Sequence, residues 1–452
     1  MAYPRLFGTN GIRGVVGREM DARFAYHVGS AVGVIFPGGP VAVGRDGRLS
    51  SPILYEGLVA GILAQGIDVE DLGLITTPAL EFLVKFRGAA GGVMVTASHN
   101  PPQYNGFKVV DHDGIEIPRK KEERVEQLVH RDSWRVKANP GRRTMPEGTL
   151  PHYLASAMAH FDGATDALHR FKVVIDPGNG VSVLTTPSLF KALGCRVLTV
   201  NDNIDGRFPA RPSEPRPETL SVLARIVRGE NADLGVAHDG DGDRAIFVDE
   251  TGRAHWGDRT LALVADEVLK ENPGSKMVAP LNSSMAVEEI ARKRGGKLIL
   301  TKVGSIEVSR TMVKVGAVLG GEENGGIFYG PHHPVRDGTM AALLVLKAMS
   351  KNRLPLSRLL NKLPVFPMAK EKFPVKDEAT KRKAMLQLTS KLNGRITSRL
   401  DGLKVVVKKK GWVLVRPSGT EPLIRLYAEG MTEKDLSELV DEFKPLVSSV
   451  IR

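Results

Sequence analysis

The run DGDGDR at residues 239–244 is the densest group of side chains that could perform chemistry. Asp239, Asp241 and Asp243 are spaced i, i+2 and i+4, so on an extended segment their carboxylates point the same way. Three convergent carboxylates repel one another unless a cation lies among them, and hard oxygen ligands suit Mg²⁺ or Ca²⁺. The run therefore predicts a divalent metal site.

Two alternatives to this metal site remain open. The pattern D-x-D-x-D also begins an EF-hand loop, and Glu250 holds the twelfth place of such a loop. The sixth place, however, needs glycine and holds Arg244, and the flanking runs LGVAH and AIFVDE look like strands rather than helices. The other alternative is a solvated acidic turn, because short motifs carry a risk of false matches.

The run TASHNP at residues 96–101 ends the apolar run GGVMV. A serine at such a strand-to-loop corner, Ser98, is well placed to be a nucleophile, although a lone serine there is more often a turn residue. His99 alone does not predict a Ser–His pair, because adjacent side chains diverge. Lys108 is a candidate general base if a nearby metal and phosphate lower its pKa; a surface lysine and a plain phosphate anchor are the alternatives.

The run RPSGTEP at residues 416–422, followed by Arg425, combines guanidinium groups, hydroxyls and a glycine that exposes backbone N–H groups. This mixture predicts a site for a phosphate dianion, bound through charge-assisted hydrogen bonds. A simple Pro/Gly turn is the alternative.

The run GGEENGG at residues 320–326 suggests a loop that presents acceptors to sugar hydroxyls, and a generic acidic turn is equally consistent with it. Nearby, GPHHPVRDG at residues 330–338 contains His332 and His333. A histidine pair of this kind is more often structural than catalytic, and proton transfer is the alternative.

These motifs share one position, because each follows an apolar, strand-like run. Ligands of α/β sheets bind beyond the carboxyl ends of the strands, so several similar α/β domains facing one cleft are expected. The runs with such ends are residues 41–48, 91–101, 172–180, 234–244, 276–284, 317–326 and 412–422. Helical spacing predicts helices from Ser51, over 187–194 and within the last 25 residues.

Clusters of Pro, Gly and charged residues divide the chain of 452 residues into four predicted units. The first contains the Ser98 loop, the second the DGDGDR loop, the third the GGEENGG loop and the last the RPSGTEP loop. Each falls within the usual size range of domains. Their predicted bounds are 1–147, 148–254, 255–364 and 365–452.

Composition and charge limit the classes of binding partner that the chain is expected to have. The net charge of +12 fits a small anionic substrate, a nucleic acid or an anionic membrane. The basic runs at 119–121, 381–383 and 408–410 lack interleaved aromatics and any nucleic-acid module, so they are expected to be solvated surface. We expect no membrane span, no signal peptide and a cytoplasmic location. Nucleotide-binding glycine motifs are also lacking.

FGTNGIRG at 7–14, TASHNP, DGDGDR, GEENGG and RPSGTEP occur in this order along nearly the whole chain. Together they resemble the α-D-phosphohexomutase family, which includes phosphomannomutase/phosphoglucomutase and phosphoglucosamine mutase. The resemblance implies an α/β fold of three similar domains, with mixed sheets between helices, and a smaller α+β C-terminal domain. It implies interconversion of hexose 1- and 6-phosphates through a phosphorylated serine and a 1,6-bisphosphate, with Mg²⁺ as cofactor.

Residue roles follow from the same resemblance. Ser98 resembles the phosphoserine, and a phosphoserine oxygen with the three aspartates resembles the Mg²⁺ ligand set. The catalytic set that we expect is Ser98, His99, Lys108, Arg13 and Arg244, with Lys108 as the acid/base group. Glu322 and Asn324 resemble the residues that contact sugar hydroxyls. The phosphate that does not react would be held by Arg416, Ser418, Gly419, Thr420 and Arg425.

One departure concerns the second acid/base group. Many bacterial members have serine and histidine where this chain has Asn324 and Gly326, and the variant GEENGG resembles archaeal members. His332 or His333 is a candidate replacement.

Mannose or glucose phosphates are the expected substrates, with glucosamine phosphate as the alternative. Two alternative functions of other classes are a serine phosphatase and a basic nucleic-acid-binding protein. The expected oligomeric state is a monomer or a homodimer.

Overall fold

The computed structural model describes residues 5–8, 10–130, 134, 136–161, 165–419 and 421–451. The strands of this part of the chain form four sheets, each built from its own stretch of sequence. We name the segments around them the first, second, third and C-terminal domains. The expected architecture is confirmed: the first three sheets are mixed and lie with helices, and the smaller last sheet is antiparallel.

The first domain has the sheet order β1-β5-β4-β2-β3-β6, in which β2, β3 and β4 are parallel and β5 runs antiparallel between β4 and β1. Its elements in chain order are β1 (Ile12–Val15), α1 (Ala22–Ile35), β2 (Val41–Arg45), α2 (Ser51–Ala64), β3 (Val69–Leu74), α3 (Thr77–Arg87), β4 (Gly91–Val95), β5 (Tyr104–Asp111), α4 (Arg119–Val129) and β6 (Arg143–Thr144).

The second domain has the sheet order β11-β10-β9-β7-β8, with short 3₁₀ helices at Thr165–Arg170, Val181–Leu184 and Pro217–Thr219. The helix expected over 187–194 is present as α6. The elements in chain order are α5 (Thr149–Met158), β7 (Lys172–Asp176), α6 (Thr186–Ala192), β8 (Arg196–Thr199), α7 (Ser221–Gly229), β9 (Leu234–His238), β10 (Ala245–Asp249) and β11 (Ala254–His255).

The third domain has the sheet order β13-β12-β14-β15-β16. Its apolar residues share one buried core with those of the second domain, so these two domains pack as a unit. The elements are α8 (Gly257–Glu271), β12 (Lys276–Pro280), α9 (Met285–Lys293), β13 (Lys297–Thr301), α10 (Ser305–Val315), β14 (Leu319–Gly321), β15 (Ile327–Tyr329), β16 (His333–Arg336), α11 (Gly338–Asn352) and α12 (Leu356–Leu360).

The C-terminal domain has the sheet order β17-β20-β19-β18 and a core of its own. Its last helix confirms the amphipathic helix expected near the end of the chain. The elements are β17 (Met368–Pro374), α13 (Glu378–Lys391), β18 (Leu403–Val407), β19 (Gly411–Pro417), β20 (Leu423–Gly430) and α14 (Glu433–Ser448).

Each of the seven runs expected to be a strand is one, namely β2, β4, β7, β9, β12, β14 and β19. Tyr153 of α5 connects the domains behind these loops: its ring packs in a core cluster of the first domain, and its hydroxyl donates to Asp337, the N-cap of α11. Among the described residues, none of the helices has both the length and the apolar character needed to cross a membrane.

Helices α1 and α2 pack so closely that a side chain at Gly29 has no room. A Cβ at Gly29 would lie 2.0 Å from the carbonyl oxygen of Leu58, whereas a Cβ at Gly229 of α7 would meet nothing within 4 Å. We expect Gly29→Ala to destabilise the first domain by about 1–3 kcal/mol through overpacking. The matched Gly229→Ala is expected to leave stability unchanged or raise it by up to about 1 kcal/mol. Equal thermal unfolding midpoints for the two variants would contradict this packing.

Candidate active site

The loop after β9 brings together the carboxylates of Asp239, Asp241 and Asp243. One oxygen from each lies within 4.8 Å of the others, and all three residues are buried. The convergence comes from a turn, in which Gly242 has a φ of +74°, rather than from the extended segment assumed from the spacing. Burial excludes a solvated acidic turn, and the flanking strands β9 and β10 exclude an EF-hand.

The donor atoms of this carboxylate cluster fit a divalent cation. Oδ1 of Asp241 and Oδ1 of Asp243 are buried and have no hydrogen-bond partner among the described residues. Buried acceptors are normally satisfied, so two such oxygens in one cluster indicate a place for a cation. Burial and the charges of Asp243 and Asp241 also raise the pKa of Asp239 well above its usual range, and a bound cation would relieve this repulsion.

Ser98 lies in the loop after β4, and its Oγ donates a hydrogen bond to Oδ2 of Asp239 over 3.1 Å. Its backbone is left-handed, with a φ of +50°, a conformation that costs about 1–3 kcal/mol in a residue with a Cβ. The loop stabilises it, because Ser98 N donates to Thr96 Oγ1 and Ser213 Oγ donates to the Ser98 carbonyl. The predicted nucleophile thus meets the predicted metal loop across two domains.

Arg48 organises the Ser98 loop, a role that the sequence motifs do not predict. Its guanidinium is fully buried and pairs with Asp46, with 3.1 Å between Nε and Oδ2. It also donates to the carbonyl oxygens of Ser98, Asn100 and Pro101 over 2.7–2.8 Å. The sequence signal for this role is its place in the Gly-rich polar end of the run at 41–48, directly after a strand.

His99 contacts Ser98, contrary to the expectation that the adjacent side chains diverge. Its Nδ1 lies 3.3 Å from Ser98 Oγ, because the left-handed backbone of Ser98 turns the chain between the two residues. Burial, followed by the charges of Arg244 and Arg13, holds the pKa of His99 well below its usual range. The imidazole is therefore neutral at pH 7 and has a free lone pair on one nitrogen.

Lys108 on β5 is buried, which excludes the surface-lysine alternative. Its Nζ donates to Oδ2 of Asp241 and to Oδ2 of Asp243, each over 2.8 Å. Burial acts to lower the pKa of Lys108, but the charges of Asp241 and Asp243 raise it overall, opposite to the lowering expected beside a metal and a phosphate. Lys108 therefore carries its proton and balances charge in the carboxylate cluster.

The two arginines carried over from the resemblance also lie around the Ser98 loop. Arg13 on β1 donates to Asn100 Oδ1 over 2.5 Å, and burial lowers its pKa to about 10. Arg244 ends the metal loop, with Nε 3.8 Å from Asp239 and 3.7 Å from Asp243. Its Nε has no hydrogen-bond partner among the described residues, so it is available to an anion.

A third arginine, Arg336, was not predicted. It ends β16 and is buried, with Nη2 donating to Asp243 Oδ2 over 2.7 Å and Nη1 donating to Glu322 Oε2 over 3.3 Å. One guanidinium therefore joins the predicted metal loop of the second domain, residues 239–244, to the predicted sugar loop of the third domain, residues 320–326. The sequence signal for Arg336 is its place in the run at 330–338, three residues after His333.

The predicted sugar loop is the tight turn between β14 and β15. Glu322 N donates to the Gly326 carbonyl over 2.8 Å, and Gly326 N donates to Asn324 Oδ1 over 3.2 Å. Glu322 is buried beside Arg336, whereas Asn324 is half-buried. The turn thus presents an acceptor that Arg336 ties to the metal loop.

His332 and His333 lie where the third domain packs on the first. The His332 ring stacks on Phe82, with 5.0 Å between ring centroids, and His333 Nε2 donates to the Gly114 carbonyl over 2.9 Å. Burial lowers the pKa of His332 to about 3 and that of His333 to about 4. These contacts favour the structural alternative over proton transfer.

The predicted phosphate loop lies on a different sheet, in the C-terminal domain. Arg416 on β19 and Arg425 on β20 are direct cross-strand partners, and Ser418 N donates to the Leu423 carbonyl. Acidic side chains partly balance these adjacent like charges: Arg416 Nε lies 3.0 Å from Asp401 Oδ2, and Arg425 Nη2 donates to Glu421 Oε2 over 2.6 Å. Nε of Arg425 has no hydrogen-bond partner among the described residues, which leaves it available to an anion. Gly419 follows Ser418 in an exposed bend, and Thr420 falls outside the described residues.

Lys381 is buried, although the basic run at 381–383 is expected to be solvated. Its Nζ donates to the Ser418 carbonyl over 2.7 Å and to the Glu421 carbonyl over 3.1 Å. Lys381 therefore holds the phosphate loop in shape and adds a positive charge beneath it.

Comparison with known families covers almost the entire chain. The α/β/α domains I, II and III of phosphoglucomutase/phosphomannomutase match residues 4–136, 151–252 and 256–366, and the C-terminal domain of that family matches residues 369–446.

Individual proteins agree with the family match. A phosphoglucosamine/phosphogalactosamine mutase of Sulfurisphaera tokodaii is 39% identical over 98% of this chain and 99% of its own. A phosphoglucomutase/phosphomannomutase of Thermococcus kodakarensis is 38% identical over 97% of each chain. The crystal structure of a phosphoglucomutase/phosphomannomutase family protein from Burkholderia thailandensis superimposes with a TM-score of 0.88, at 30% identity, over 100% of this chain and 98% of that one. The chain belongs to the phosphoglucomutase/phosphomannomutase family.

Proposed function

We propose that this chain interconverts hexose 1-phosphates and hexose 6-phosphates through a phosphorylated Ser98 and a hexose 1,6-bisphosphate. Its family consists of phosphohexomutases, which are isomerases that transfer a phosphoryl group within one molecule. The observation that carries the proposal is the contact of Ser98 Oγ with Asp239, inside a buried cluster of carboxylate and positively charged side chains.

The transfer itself would proceed at Ser98 Oγ. The Oγ–P bond of phosphorylated Ser98 breaks as the free hydroxyl of the sugar phosphate forms a new O–P bond. The sugar hydroxyl passes its proton to a base of the site, and Ser98 Oγ takes up a proton from an acid of the site. The bisphosphate then turns around, and its other phosphoryl group returns to Ser98 Oγ. Arg244 and Arg13, whose guanidinium groups lie beside the Ser98 loop, would stabilise the charge on the moving group.

Proton transfer is assigned to two groups of the site, one in the carboxylate cluster and one beside Ser98. Lys108 holds its proton between two carboxylates and would donate a proton, while neutral His99 has a nitrogen 3.3 Å from Ser98 Oγ and would accept one. The contact of His99 with Ser98 and the opposite protonation states of the two groups support this pairing.

We assign the metal as Mg²⁺, with Asp239, Asp241, Asp243 and a phosphoryl oxygen on Ser98 as its ligands. The buried, unpartnered carboxylate oxygens support this assignment. When bound, Mg²⁺ supplies positive charge that stabilises the phosphoryl group.

The remaining contacts would hold the rest of the substrate. Glu322 and Asn324 would accept hydrogen bonds from sugar hydroxyls, and the Arg416–Arg425 pair with Ser418, Gly419 and Thr420 would bind the phosphate that does not react. Because the phosphate loop belongs to a domain with a separate core, it suits a lid that closes on either end of the bisphosphate.

The substrate range is proposed to include hexosamine phosphates. The Sulfurisphaera relative is named for glucosamine and galactosamine phosphates, and the Thermococcus relative is named for glucose and mannose phosphates. The range of proposed substrates is therefore broader than the glucose and mannose phosphates expected from the sequence. We propose glucosamine 1-phosphate as a substrate beside glucose 1-phosphate and mannose 1-phosphate. Coupled assays with the three sugars would rank them.

We expect Ser98→Ala to lose on the order of 10³-fold or more of mutase activity with each sugar, because the phosphoryl carrier is removed. Ser437→Ala, at an exposed serine of α14, is the matched control and should retain activity. The coupled assay would include a measurement of inorganic phosphate. Retained activity in Ser98→Ala would refute the phosphoserine, and stoichiometric phosphate release by the wild type would indicate a phosphatase instead.

We expect Arg336→Met to lower kcat/KM by about 10²-fold, since Asp243 and Glu322 lose the cation that orients them. Arg294→Met, which breaks the partly exposed pair with Asp266 in the same domain, should stay within two-fold of wild type. Thermal unfolding of both variants separates misfolding from loss of orientation. A folded Arg336→Met protein with full activity would contradict the assignment.

Mg²⁺ is expected to raise the thermal unfolding midpoint of the wild type, because a ligand of the native state at 100 times its Kd contributes about 2.7 kcal/mol. Asp241→Asn should lose most of this increase, while Glu230→Gln, at a surface ion pair of the second domain, should keep it. Calorimetric unfolding with Mg²⁺ and with EDTA measures the effect. An equal increase in Asp241→Asn and wild type would place the metal elsewhere.

A further inference from the structure

The first strand of the C-terminal domain contacts the sugar loop directly. Lys370 on β17 forms an ion pair with Glu323, with 2.5 Å between Nζ and Oε2. The other oxygen of Glu323, Oε1, accepts from Asn282 Nδ2 over 2.9 Å. The Lys370 ammonium also lies 4.6 Å from the centroid of the Trp256 ring, so two features of the third domain hold it.

Glu323 lies between the residues assigned to sugar binding, Glu322 and Asn324. The loop is packed tightly from behind: a Cβ on Gly257 would lie 2.2 Å from Gly325 N and 2.6 Å from the Glu323 carbonyl oxygen. With its rear face fixed against the start of α8, the loop can be adjusted mainly through its side chains. The Glu323 carboxylate is the one that reaches the C-terminal domain.

The local charges make Lys370 important to this loop. Asp258 is half-buried close to Glu323, and its pKa is raised to about 7 by desolvation and by the Glu323 charge, while Lys370 opposes that increase. Removing the Lys370 ammonium leaves Glu323 beside Asp258 without its cation, which disfavours the present position of the carboxylate.

At its other end, Lys370 is connected to the phosphate loop through the sheet. Lys370 is the cross-strand partner of Tyr427 on β20, and Arg425 precedes Tyr427 by two residues on the same strand. Residues two apart on a strand share a face, so Tyr427 and Arg425 lie on one side of the sheet. A rigid pair of strands therefore joins the contact at Glu323 to the arginine assigned to phosphate binding.

We propose that the Glu323–Lys370 ion pair couples the sugar loop to the C-terminal domain, so that both are positioning residues for substrate. The inference rests on the proposed function for the roles of Glu322, Asn324 and Arg425. The pair forms only when β17 lies against the third domain, so sugar recognition is completed as the phosphate loop comes into place. Its loss loosens the loop and lets the bisphosphate escape while it turns.

Lys370→Met tests this coupling, and Lys444→Met is the matched control because it breaks the ion pair with Glu371, which lies wholly within the C-terminal domain. The variant should stay docked, since Glu429 still accepts from Ser284 Oγ and Met285 N at the start of α9. We expect amide hydrogen exchange across residues 321–326 to be faster in Lys370→Met than in the wild type. In Lys444→Met the exchange rate of these residues should equal that of the wild type. KM for glucose 1-phosphate should rise about five-fold or more with little change in the initial kcat. Hexose 1,6-bisphosphate should appear in solution at up to one equivalent per phosphorylated enzyme, and turnover should then slow as unphosphorylated enzyme builds up.

The reversed pair Glu323→Lys/Lys370→Glu should recover part of the slow exchange and of the low KM, which the loss of an unrelated packing contact would not allow. Identical exchange in Lys370→Met and Lys444→Met would overturn the coupling. If the wild type converts none of the three sugar phosphates, the proposed function fails, and the exchange comparison still decides whether the sugar loop responds to Lys370.

Discussion

The active site depends on a buried balance between three carboxylates and the cations that surround them. Asp239, Asp241 and Asp243 come from the second domain, Lys108 from the first and Arg336 from the third. Burying charges of one sign without partners costs several kcal/mol for each ion, so the cluster is stable only where the three domains meet. The carboxylate cluster, which is the proposed metal site, is therefore also the point that fixes the first three domains relative to one another.

This constraint explains why the supporting residues are themselves buried and charged. Arg48 pairs with Asp46 and donates to three carbonyls of the Ser98 loop, which offsets the cost of the left-handed backbone at Ser98. Behind the cluster, Tyr153 and Asp337 connect α5 to the N-terminus of α11, where Gly338 N donates to the Gly242 carbonyl of the metal loop.

Much of this arrangement was predictable, because it follows from short-range patterns. Apolar runs that end in Gly-rich polar loops predicted the strands, and the spacing of the three aspartates predicted their convergence. Arg48 and Arg336 were not predictable in the same way, since their roles come from partners 50 and 93 residues away, respectively, which a single sequence does not bring together. The contact of His99 with Ser98 depends on one backbone dihedral angle, and the raised pKa of Lys108 depends on a carboxylate pair in another domain.

The same physical reasoning separates the C-terminal domain from the rest. The second and third domains share one apolar core, which leaves little freedom between them, whereas the C-terminal domain has its own core and meets the third through a smaller cluster around Leu281, Trp412 and Tyr427. The proposed mechanism, in which a bisphosphate turns around, requires a rigid site for the transfer and a phosphate anchor that releases and binds again. A small apolar contact with a few ion pairs meets both needs, because it gives a defined closed position without the cost of opening a large core.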